Sequence, residues 1–148
     1  MFFMGSWENM VNYWLCVTNE DNWRVIRKEN MWGISDRHQD KLTQTKIEDR
    51  LVFYVKPVKI GGIFEVASDP FQEDKEIFLG GIFPHRIRLK PIIVPDKFLD
   101  FRPLINELRF IEKKRPRWGG YLQGKAMRTI QKEDYELIKN KLRELRAH

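Results

Sequence analysis

The sequence predicts an α+β domain built around a small, strongly curved β-sheet or barrel. Short runs rich in β-branched and aromatic residues recur along the chain, two or three other segments have helical spacing, and the two kinds do not alternate in βαβ order. The chain has 148 residues, 42% hydrophobic and 13% aromatic, which is enough for one well-filled core. We therefore expect residues 11–148 to form a single domain, preceded by a flexible extension at residues 1–10.

The first part of the chain predicts a buried strand and a short helix. Residues 11–17 form a compact apolar run, as is typical of a buried strand. Asp21 or Asn22 can cap a helix that runs to Arg27 and ends before Trp32.

A β-hairpin is the clearest element of the sequence. Residues 50–55 are rich in β-branched and aromatic types, residues 56–61 turn the chain, and residues 62–67 return it. The polar segment before the hairpin allows a short helix, with Leu42 and Ile47 as its expected inward contacts.

The segment from residue 84 to residue 91 alternates with a period of two. Arg86, Arg88 and Lys90 share one face, and apolar residues share the other. We expect a strand that buries its apolar face and exposes a basic row.

The C-terminal half predicts two helices. A short one is expected at residues 102–108, after an extended region interrupted by prolines. The last helix is expected from about Thr129 to Arg146, with acidic residues near the positive end of its dipole. Its apolar positions at helical spacing are Tyr135, Ile138, Leu142 and Leu145.

The composition favours an anionic partner. The formal charge is +6 and the pI is about 9.5, and because the basic residues are grouped we favour nucleic acid over simple solubility. No signal peptide or membrane-length apolar run is present, so we expect a cytoplasmic protein without membrane contact. The single cysteine, Cys16, excludes an internal disulfide and is expected to be a buried thiol.

Residues 30–38 have the composition of a pocket wall. Trp32 stands beside the flexible Gly33, and hydrogen-bonding side chains that include Ser35 and Arg37 follow. Such a wall stacks a planar ligand on the indole and contacts its edge through polar groups. The alternative is a core tryptophan at a helix end, and we favour the ligand contact.

The other aromatic residues have different expected roles. Trp14 and Trp23 lie in apolar periodic segments and are expected in the core. Tyr54 either fills the barrel or lines its mouth. Trp118 either flanks the pocket, since two glycines follow it, or packs on the surface.

One basic segment is the best candidate for phosphate binding. It contains four cations within five residues and an adjacent tryptophan, the usual mixture for backbone contact plus stacking. The alternative is an exposed, solvated loop. The candidates are Lys113, Lys114, Arg115, Arg117, Trp118 and, further along the chain, Arg128.

The sequence does not favour catalysis, and we predict no cofactor or metal. The three histidines lack metal-ligand spacing, and no common glycine-rich phosphate loop is present. Neighbouring residues such as Ser35, Asp36 and His38 rarely face one another as a triad does. In an enzyme, Asp36 and His38 are the acid and base we would expect.

Several fragments, in their order and spacing, resemble the EVE domain family. They are Tyr13-Trp14-Leu15, Glu20-Asp21-Asn22-Trp23, Trp32-Gly33-Ile34, residues 48–54 and residues 62–66. The resemblance spans residues 12 to about 141. It implies a PUA-like β-barrel of about five to six mostly antiparallel strands, flanked by short helices and a C-terminal helix. The family is related to the YTH domains, which bind methylated adenine in RNA.

The resemblance also implies a site that holds a flipped, modified base in an aromatic cage. Trp32 corresponds to the first cage tryptophan, Asn19 lies near an asparagine that hydrogen-bonds the base, and Leu79 corresponds to the apolar floor. The second cage aromatic has three candidates, Phe71, Phe78 and Tyr54. Ser35-Asp36-Arg37 stands where many EVE sequences carry an asparagine, so recognition of the base edge is expected to differ.

The function expected from these observations is that of a non-catalytic reader of modified DNA or RNA, acting as a monomer or weak dimer. One alternative is a general PUA-type RNA-binding module without selectivity for modification, which predicts steep salt dependence alone. The other is a small nucleotide-processing enzyme that uses Asp36 and His38.

Overall fold

The computed structural model describes residues 11–111 and 126–147, which form a curled, mixed β-sheet with three α-helices. The strands are β1 (Tyr13–Thr18), β2 (Met31–Ile34), β3 (Arg50–Val55), β4 (Lys59–Val66), β5 (Phe71–Gln72), β6 (His85–Ile93), β7 (Leu99–Asp100) and β8 (Met127–Ile130). The helices are α1 (Glu20–Glu29), α2 (Gln39–Thr43) and α3 (Lys132–Ala147), with 3-10 turns at Asp36–His38 and Arg102–Leu104.

Six strands follow the order β2-β6-β4-β3-β1-β8, while β5 pairs with β6 and β7 pairs with β4. Strands β1 and β3 are parallel, and the other pairs in the described ranges are antiparallel. The register shifts after Phe53 on β3 and after Ile63 on β4. Irregularities of this kind bend strands and increase their twist, so they account for the curl. The predicted curved, mostly antiparallel barrel is confirmed.

Each face of the sheet carries its own apolar cluster, because successive strand residues point to opposite faces. Leu15 of β1 belongs to a cluster that includes Ile138 of α3, and we call it the α3-side cluster. Its neighbour Trp14 belongs to a second cluster, which includes Trp23 of α1 and Trp32 of β2, and we call it the α1-side cluster. The predictions that Trp14 and Trp23 are core residues are confirmed, since they are 1% and 2% exposed.

Helix α1 begins earlier than the sequence predicts. Asn19 is its N-cap, and its Oδ1 accepts the backbone N–H of Asn22 at 2.8 Å, so the prediction of a cap at Asp21 or Asn22 is wrong. The helix ends at Asn30, whose left-handed backbone (φ 53°) stops it one residue before β2. This tight ending leads the chain directly from α1 into the strand that carries Trp32.

Leu42 is fully buried as predicted, but Ile47 is 52% exposed, so its predicted inward contact is wrong. The turn that carries Ile47 is organised by the fully buried carboxylate of Asp49. That carboxylate accepts the backbone N–H groups of Asn12 and Lys46 at 2.9 and 3.0 Å and the indole N–H of Trp14 at 3.0 Å. The hydrogen bonds to the Asp49 carboxylate therefore determine the conformation of this segment more than its apolar contacts do.

The C-terminal elements differ from the prediction in their limits. Thr129 lies in β8, and the last helix begins at Lys132, because residues 127–130 pair with β1. The helix expected at residues 102–108 is only a 3-10 turn at its start. The buried carboxylate of Asp134 accepts the backbone N–H groups of Arg109 and Phe110 at 2.8 and 3.0 Å, which ties the irregular segment to α3.

Within the described ranges, none of the helices combines the length and apolar character that a membrane crossing requires.

Gly61 on β4 provides a test of the packing between sheet and α1. A Cβ at this position would lie 2.5 Å from Cε2 of Trp23, closer than the atoms tolerate. We expect Gly61→Ala to lower the free energy of unfolding by about 1–3 kcal/mol, measured by urea denaturation. Gly81→Ala is the control, because its Cβ would have ordinary contact, 3.4 Å, with Phe83. Equal stability of the two variants would contradict the packing described.

Candidate functional site

Trp32 lies on β2 with its indole inside the α1-side cluster. The residue is 5% exposed, and its ring meets that of Phe53 edge to face, with 5.3 Å between centroids. Its Nε1 is buried and has no hydrogen-bond partner among the residues that the structure describes. Such an unpaired buried donor costs about 1–3 kcal/mol and is rare in native proteins. The indole therefore packs as a core residue, and its N–H donor is unpaired within the described residues.

Gly33, the next residue, lets an aromatic side chain approach the β2 backbone. A Cβ at Gly33 would lie 2.7 Å from Cε2 of Phe78 and 2.8 Å from the carbonyl oxygen of Phe83. Phe78 is itself 9% exposed and meets the Phe83 ring edge to face. The structure thus brings Phe78 next to Gly33, one residue from Trp32.

Leu79 lies in the same loop and is held by a side chain of α1. Its backbone N–H donates to Oδ1 of Asn22 at 2.7 Å, and Nδ2 of Asn22 donates to the Leu79 carbonyl oxygen at 3.0 Å. The Asn22 side chain is buried, whereas the Leu79 residue is 60% exposed. Sequence reasoning predicted a possible capping role for Asn22 and missed this contact, since the two residues are 57 positions apart.

The prediction that Arg86 belongs to an exposed basic row is wrong. Arg88 and Lys90 are exposed, but Arg86 is fully buried because residues 73–83 fold over it. Its guanidinium donates to the carboxylate of Glu73 at 2.8 Å and to the carbonyl oxygens of Lys75, Ile82 and Phe83 at 2.5, 2.8 and 3.0 Å. Strand alternation placed Arg86 on the correct face but carries no information about a loop that covers that face.

Three other predicted pocket residues lie near the start of α1 or just after β2. Asn19 is exposed and caps α1, as described above. Ser35 is half-buried, and its carbonyl oxygen accepts the backbone N–H of His38 at 3.0 Å, which closes the 3-10 turn. Arg37 is exposed on that turn. Ser35 and Arg37 follow Trp32 in the chain, while Asn19 performs a structural task.

Tyr54 lies in the α3-side cluster, away from Trp32. Its ring meets Phe101 edge to face at 5.0 Å, and its hydroxyl donates to the carbonyl oxygen of Pro57. Burial raises the pKa of Tyr54 to about 12, so the phenol stays protonated.

Phe53, its neighbour on β3, is the aromatic that meets Trp32. Trp14 and Cys16 share one face of β1, and Phe53 lies beside Cys16 in the pairing of β1 with β3. Sequence reasoning can therefore place Phe53 on the face of Trp14 only when that pairing is known.

Phe71 lines a separate cleft of about 160 Å³ between α2 and strands β5 and β6. The guanidinium carbon of Arg88 lies 5.2 Å from the centroid of its ring. The cleft is lined by Gln39, Leu42, Thr43, Pro70, Phe71, Gln72 and His85.

Asp36 and His38 are the residues that we would expect to act as acid and base in an enzyme, and Asp36 is paired with a different histidine. Oδ1 of Asp36 instead lies 2.5 Å from Nε2 of His85, a residue of β6. Partial burial lowers the pKa of His38, and the charge of Arg37 lowers it further.

Cys16 is fully buried, as predicted, and burial raises its pKa well above the usual value, which keeps the thiol protonated. The described ranges contain no cluster of His, Cys, Asp or Glu suited to a metal ion.

The predicted phosphate-binding residues fall mostly outside the described ranges. Arg128 on β8 is half-buried, with its guanidinium carbon 5.0 Å from the ring centroid of Phe110. The residues outside are Lys113, Lys114, Arg115, Arg117 and Trp118.

The curled mixed sheet with its C-terminal helix has the fold of a PUA-like β-barrel, which is also the fold of YTH domains. More particularly, a model of the EVE domain matches residues 12–141, and the chain belongs to the EVE domain family. The family expected from the sequence fragments is thereby confirmed.

Relatives in two archaea match nearly the whole chain. A UPF0310 protein of Pyrococcus abyssi is 42% identical over 145 residues, which cover 89% of this chain and 100% of that protein. A UPF0310 protein of Pyrococcus horikoshii is 40% identical over 147 residues, which cover 89% and 99%. Among solved structures, the YTH domain of the Zygosaccharomyces rouxii MRB1 protein in complex with N6-methyladenosine RNA has a TM-score of 0.70 at 13% identity, covering 90% of this chain and 88% of that one. At this identity the likeness concerns the fold.

Arg86 provides a test of the loop that borders the site. We expect Arg86→Met to lower the free energy of unfolding by about 3 kcal/mol, because three carbonyl oxygens and Glu73 lose a buried charged donor. Thermal and chemical denaturation measure the change. Arg88→Met, on the same strand but exposed, is the matched control and should change stability by less than about 1 kcal/mol. A loss of similar size in both variants would argue against the anchoring role of Arg86.

Proposed function

We propose that this domain is a non-catalytic reader that binds single-stranded nucleic acid and holds one modified base against Trp32. The observation that carries the proposal is the buried indole whose Nε1 lacks a partner among the described residues. A base can contact this indole in one of two ways: an acceptor on its edge can pair with the N–H, or the base can stack on the ring face, which is worth about 1–3 kcal/mol per base. A ligand would thereby remove the cost of the unpaired donor.

RNA is the favoured nucleic acid in this proposal. The Zygosaccharomyces YTH domain was solved with N6-methyladenosine RNA, and this chain shares its fold. The formal charge of +6 favours any polyanion and does not separate RNA from DNA.

We assign the predicted residues to the pocket, the base edge, the scaffold and the phosphate contacts. Trp32 lines the pocket and Phe78 borders it, since Gly33 allows Phe78 to approach the β2 backbone closely, while Ser35 and Arg37 contact the base edge or the adjacent phosphate. We assign Asn19 and Tyr54 to the scaffold, because the first caps α1 and the second is buried in the other cluster. The phosphate contacts come from Lys113, Lys114, Arg115 and Arg117, with Trp118 and Arg128 beside them.

A methyl group on the base supplies the proposed selectivity. One additional buried methyl contributes about 0.8 kcal/mol, which corresponds to a preference of about 4-fold. We assign no catalytic role, since Asp36 contacts His85 and not the expected His38.

Trp32→Phe tests the pocket while preserving an aromatic core residue. We expect wild-type protein to prefer one methylated oligonucleotide in a panel of RNA and DNA strands, either unmodified or methylated at adenine or cytosine. In Trp32→Phe the affinity should fall about 10-fold and the preference should vanish, because the indole N–H and part of the stacking surface are lost. Fluorescence anisotropy measures both quantities.

Trp14→Phe is the matched control for this experiment. Trp14 is an equally buried tryptophan of the same cluster, but its Nε1 is paired with Asp49. The substitution should reduce stability and leave the methyl preference unchanged. The reader function would be refuted if wild type and Trp32→Phe bound methylated and unmodified oligonucleotides with the same affinity. A general RNA-binding module would then remain.

The proposed phosphate contacts are tested by salt dependence. Arg115→Gln with Arg117→Gln should reduce the slope of log Kd against log salt concentration by about 1.4, or about 0.7 for each lost contact on a single strand. Arg143→Gln with Arg146→Gln removes the same charge from exposed positions of α3 and is the control. If both double variants shift the slope equally, overall charge and not this segment determines binding.

A further inference from the structure

Two cations of β6 remain open where residues 73–83 do not cover the strand. Arg88 and Lys90 are both exposed, whereas Arg86 is fully buried and paired with Glu73. Neither Arg88 nor Lys90 forms an ion pair with a carboxylate of the described residues. Residues two apart on a strand lie on one face at a separation of roughly 6–7 Å. The strand therefore presents two unpaired positive charges side by side.

This row of charge continues across the neighbouring strands. Lys90 is the register partner of Glu65 on β4, and Glu65 is the register partner of Arg50 on β3. Directly paired residues of adjacent strands lie on the same face of a sheet. Arg50 is half-buried, and its guanidinium lies 3.4 Å from the Glu65 carboxylate. We call Arg50, Arg88 and Lys90 the β6 cationic surface, in which three positive charges surround one carboxylate.

The arginine at the centre of β6 is held in place before any ligand binds. The backbone N–H of Arg88 donates to Oγ of Ser68 at 2.9 Å, and its guanidinium carbon lies 5.2 Å from the ring centroid of Phe71. A guanidinium that packs over an aromatic ring is partly ordered already, so it loses less conformational freedom when it binds an anion. Its planar fork of N–H groups also matches the oxygens of a phosphate.

We propose that the β6 cationic surface binds the phosphates of a nucleic-acid strand that extends beyond the base held at Trp32. This inference rests on the proposed function. Trp32 is the register partner of Ile87, the residue before Arg88, so the base site and this surface belong to one pair of strands. Strand alternation places Ile87 in the α1-side cluster and Arg88 on the other face. The strand would therefore pass from one face of the sheet to the other.

A polyanion is the occupant that this surface fits. The centre of a protein–protein interface is usually apolar and poor in charge. Of the large hydrophobic residues described, only Ile47 and Leu79 are exposed, and neither belongs to the β6 cationic surface. Repeated positive charge without an apolar centre, in a chain of formal charge +6, is instead typical of contact with a phosphate backbone.

Arg88→Gln with Lys90→Gln tests the surface with two lengths of the RNA strand that wild type binds most tightly. The short strand, of about 4 nucleotides, fills the Trp32 site alone, and the long strand has about 12. The double variant should bind the long strand about 10-fold more weakly, and the slope of log Kd against log salt concentration should fall by about 1.4, because two phosphate contacts are lost. Binding of the short strand should change little, since that strand does not reach the surface. Fluorescence anisotropy measures both.

Arg143→Gln with Arg146→Gln is the matched control, because it removes the same charge from exposed positions of α3. Urea denaturation of both double variants verifies that each is folded. If both weaken the long strand equally, or if Arg88→Gln with Lys90→Gln weakens the two strands equally, overall charge explains the effect and the proposal is overturned. Unchanged binding of the long strand also overturns it and leaves an acidic protein as the partner that the charge would fit.

Glu65→Gln should act in the opposite direction, which separates lost contacts from damage to the fold. The substitution removes the negative charge between Lys90 and Arg50 and releases Arg50 from its ion pair. We expect the long strand to bind about 3-fold more tightly at low salt, since one further cation can contact a phosphate. Glu107→Gln, exposed and without an ion pair in the described ranges, is the control and should have a smaller effect. Weaker binding by Glu65→Gln, or an equal gain in both variants, contradicts the proposal.

The reader function and the β6 cationic surface fail in different ways. If Trp32→Phe abolishes the methyl preference while Arg88→Gln with Lys90→Gln behaves as its control, the surface is overturned and the reader function stands. If wild type binds neither strand, both are overturned. If the double variant weakens only the long strand while Trp32→Phe is neutral, the surface stands and the Trp32 pocket falls.

Discussion

The buried guanidinium of Arg86 is the interaction on which the arrangement around Trp32 depends. A fully buried charge requires partners, and its donors find three carbonyl oxygens and a carboxylate only if residues 73–83 close over β6. That closure brings Phe78 against β2 and leaves Gly33 as the residue that fits beneath it. The loop then reaches α1, where Asn22 holds Leu79. One buried charge thereby determines the position of a long irregular segment.

Two tryptophans of the same apolar cluster show how scaffold and candidate site differ. Trp14 and Trp32 are buried to similar extents, at 1% and 5% exposure. The indole N–H of Trp14 donates to Asp49, which also holds the turn before β3, so this residue is satisfied by the protein itself. The indole N–H of Trp32 has no partner in the described part of the chain. Burial alone does not separate the two residues, whereas hydrogen-bond satisfaction does.

The sequence predicted the elements that depend on local pattern. The hairpin of β3 and β4, the buried Trp14 and Trp23, and the curved sheet were correct because residue type and alternation determine them. The errors arose where distant residues decide. Arg86 is covered by a loop, Asn22 bonds to a residue 57 positions away, and strands of four residues such as β2 are too short to show a period. The candidate site is built largely from such distant contacts, so its composition was visible in the sequence but its geometry was not.

The two faces of the sheet differ in their exposed and unpaired groups. Tyr54 and Ile138 lie in the α3-side cluster, where the Tyr54 hydroxyl donates to the Pro57 carbonyl oxygen and the buried Tyr135 hydroxyl has no partner among the described residues. Trp32 and the loop that carries Leu79 belong to the opposite face, where a buried donor is unpaired and an apolar side chain is exposed. Under the proposed function, a ligand that pairs the Trp32 donor and covers Leu79 would offset the cost of these features. A buried unpaired polar group thus occurs on both faces, and the exposed Leu79 is what distinguishes the α1-side face.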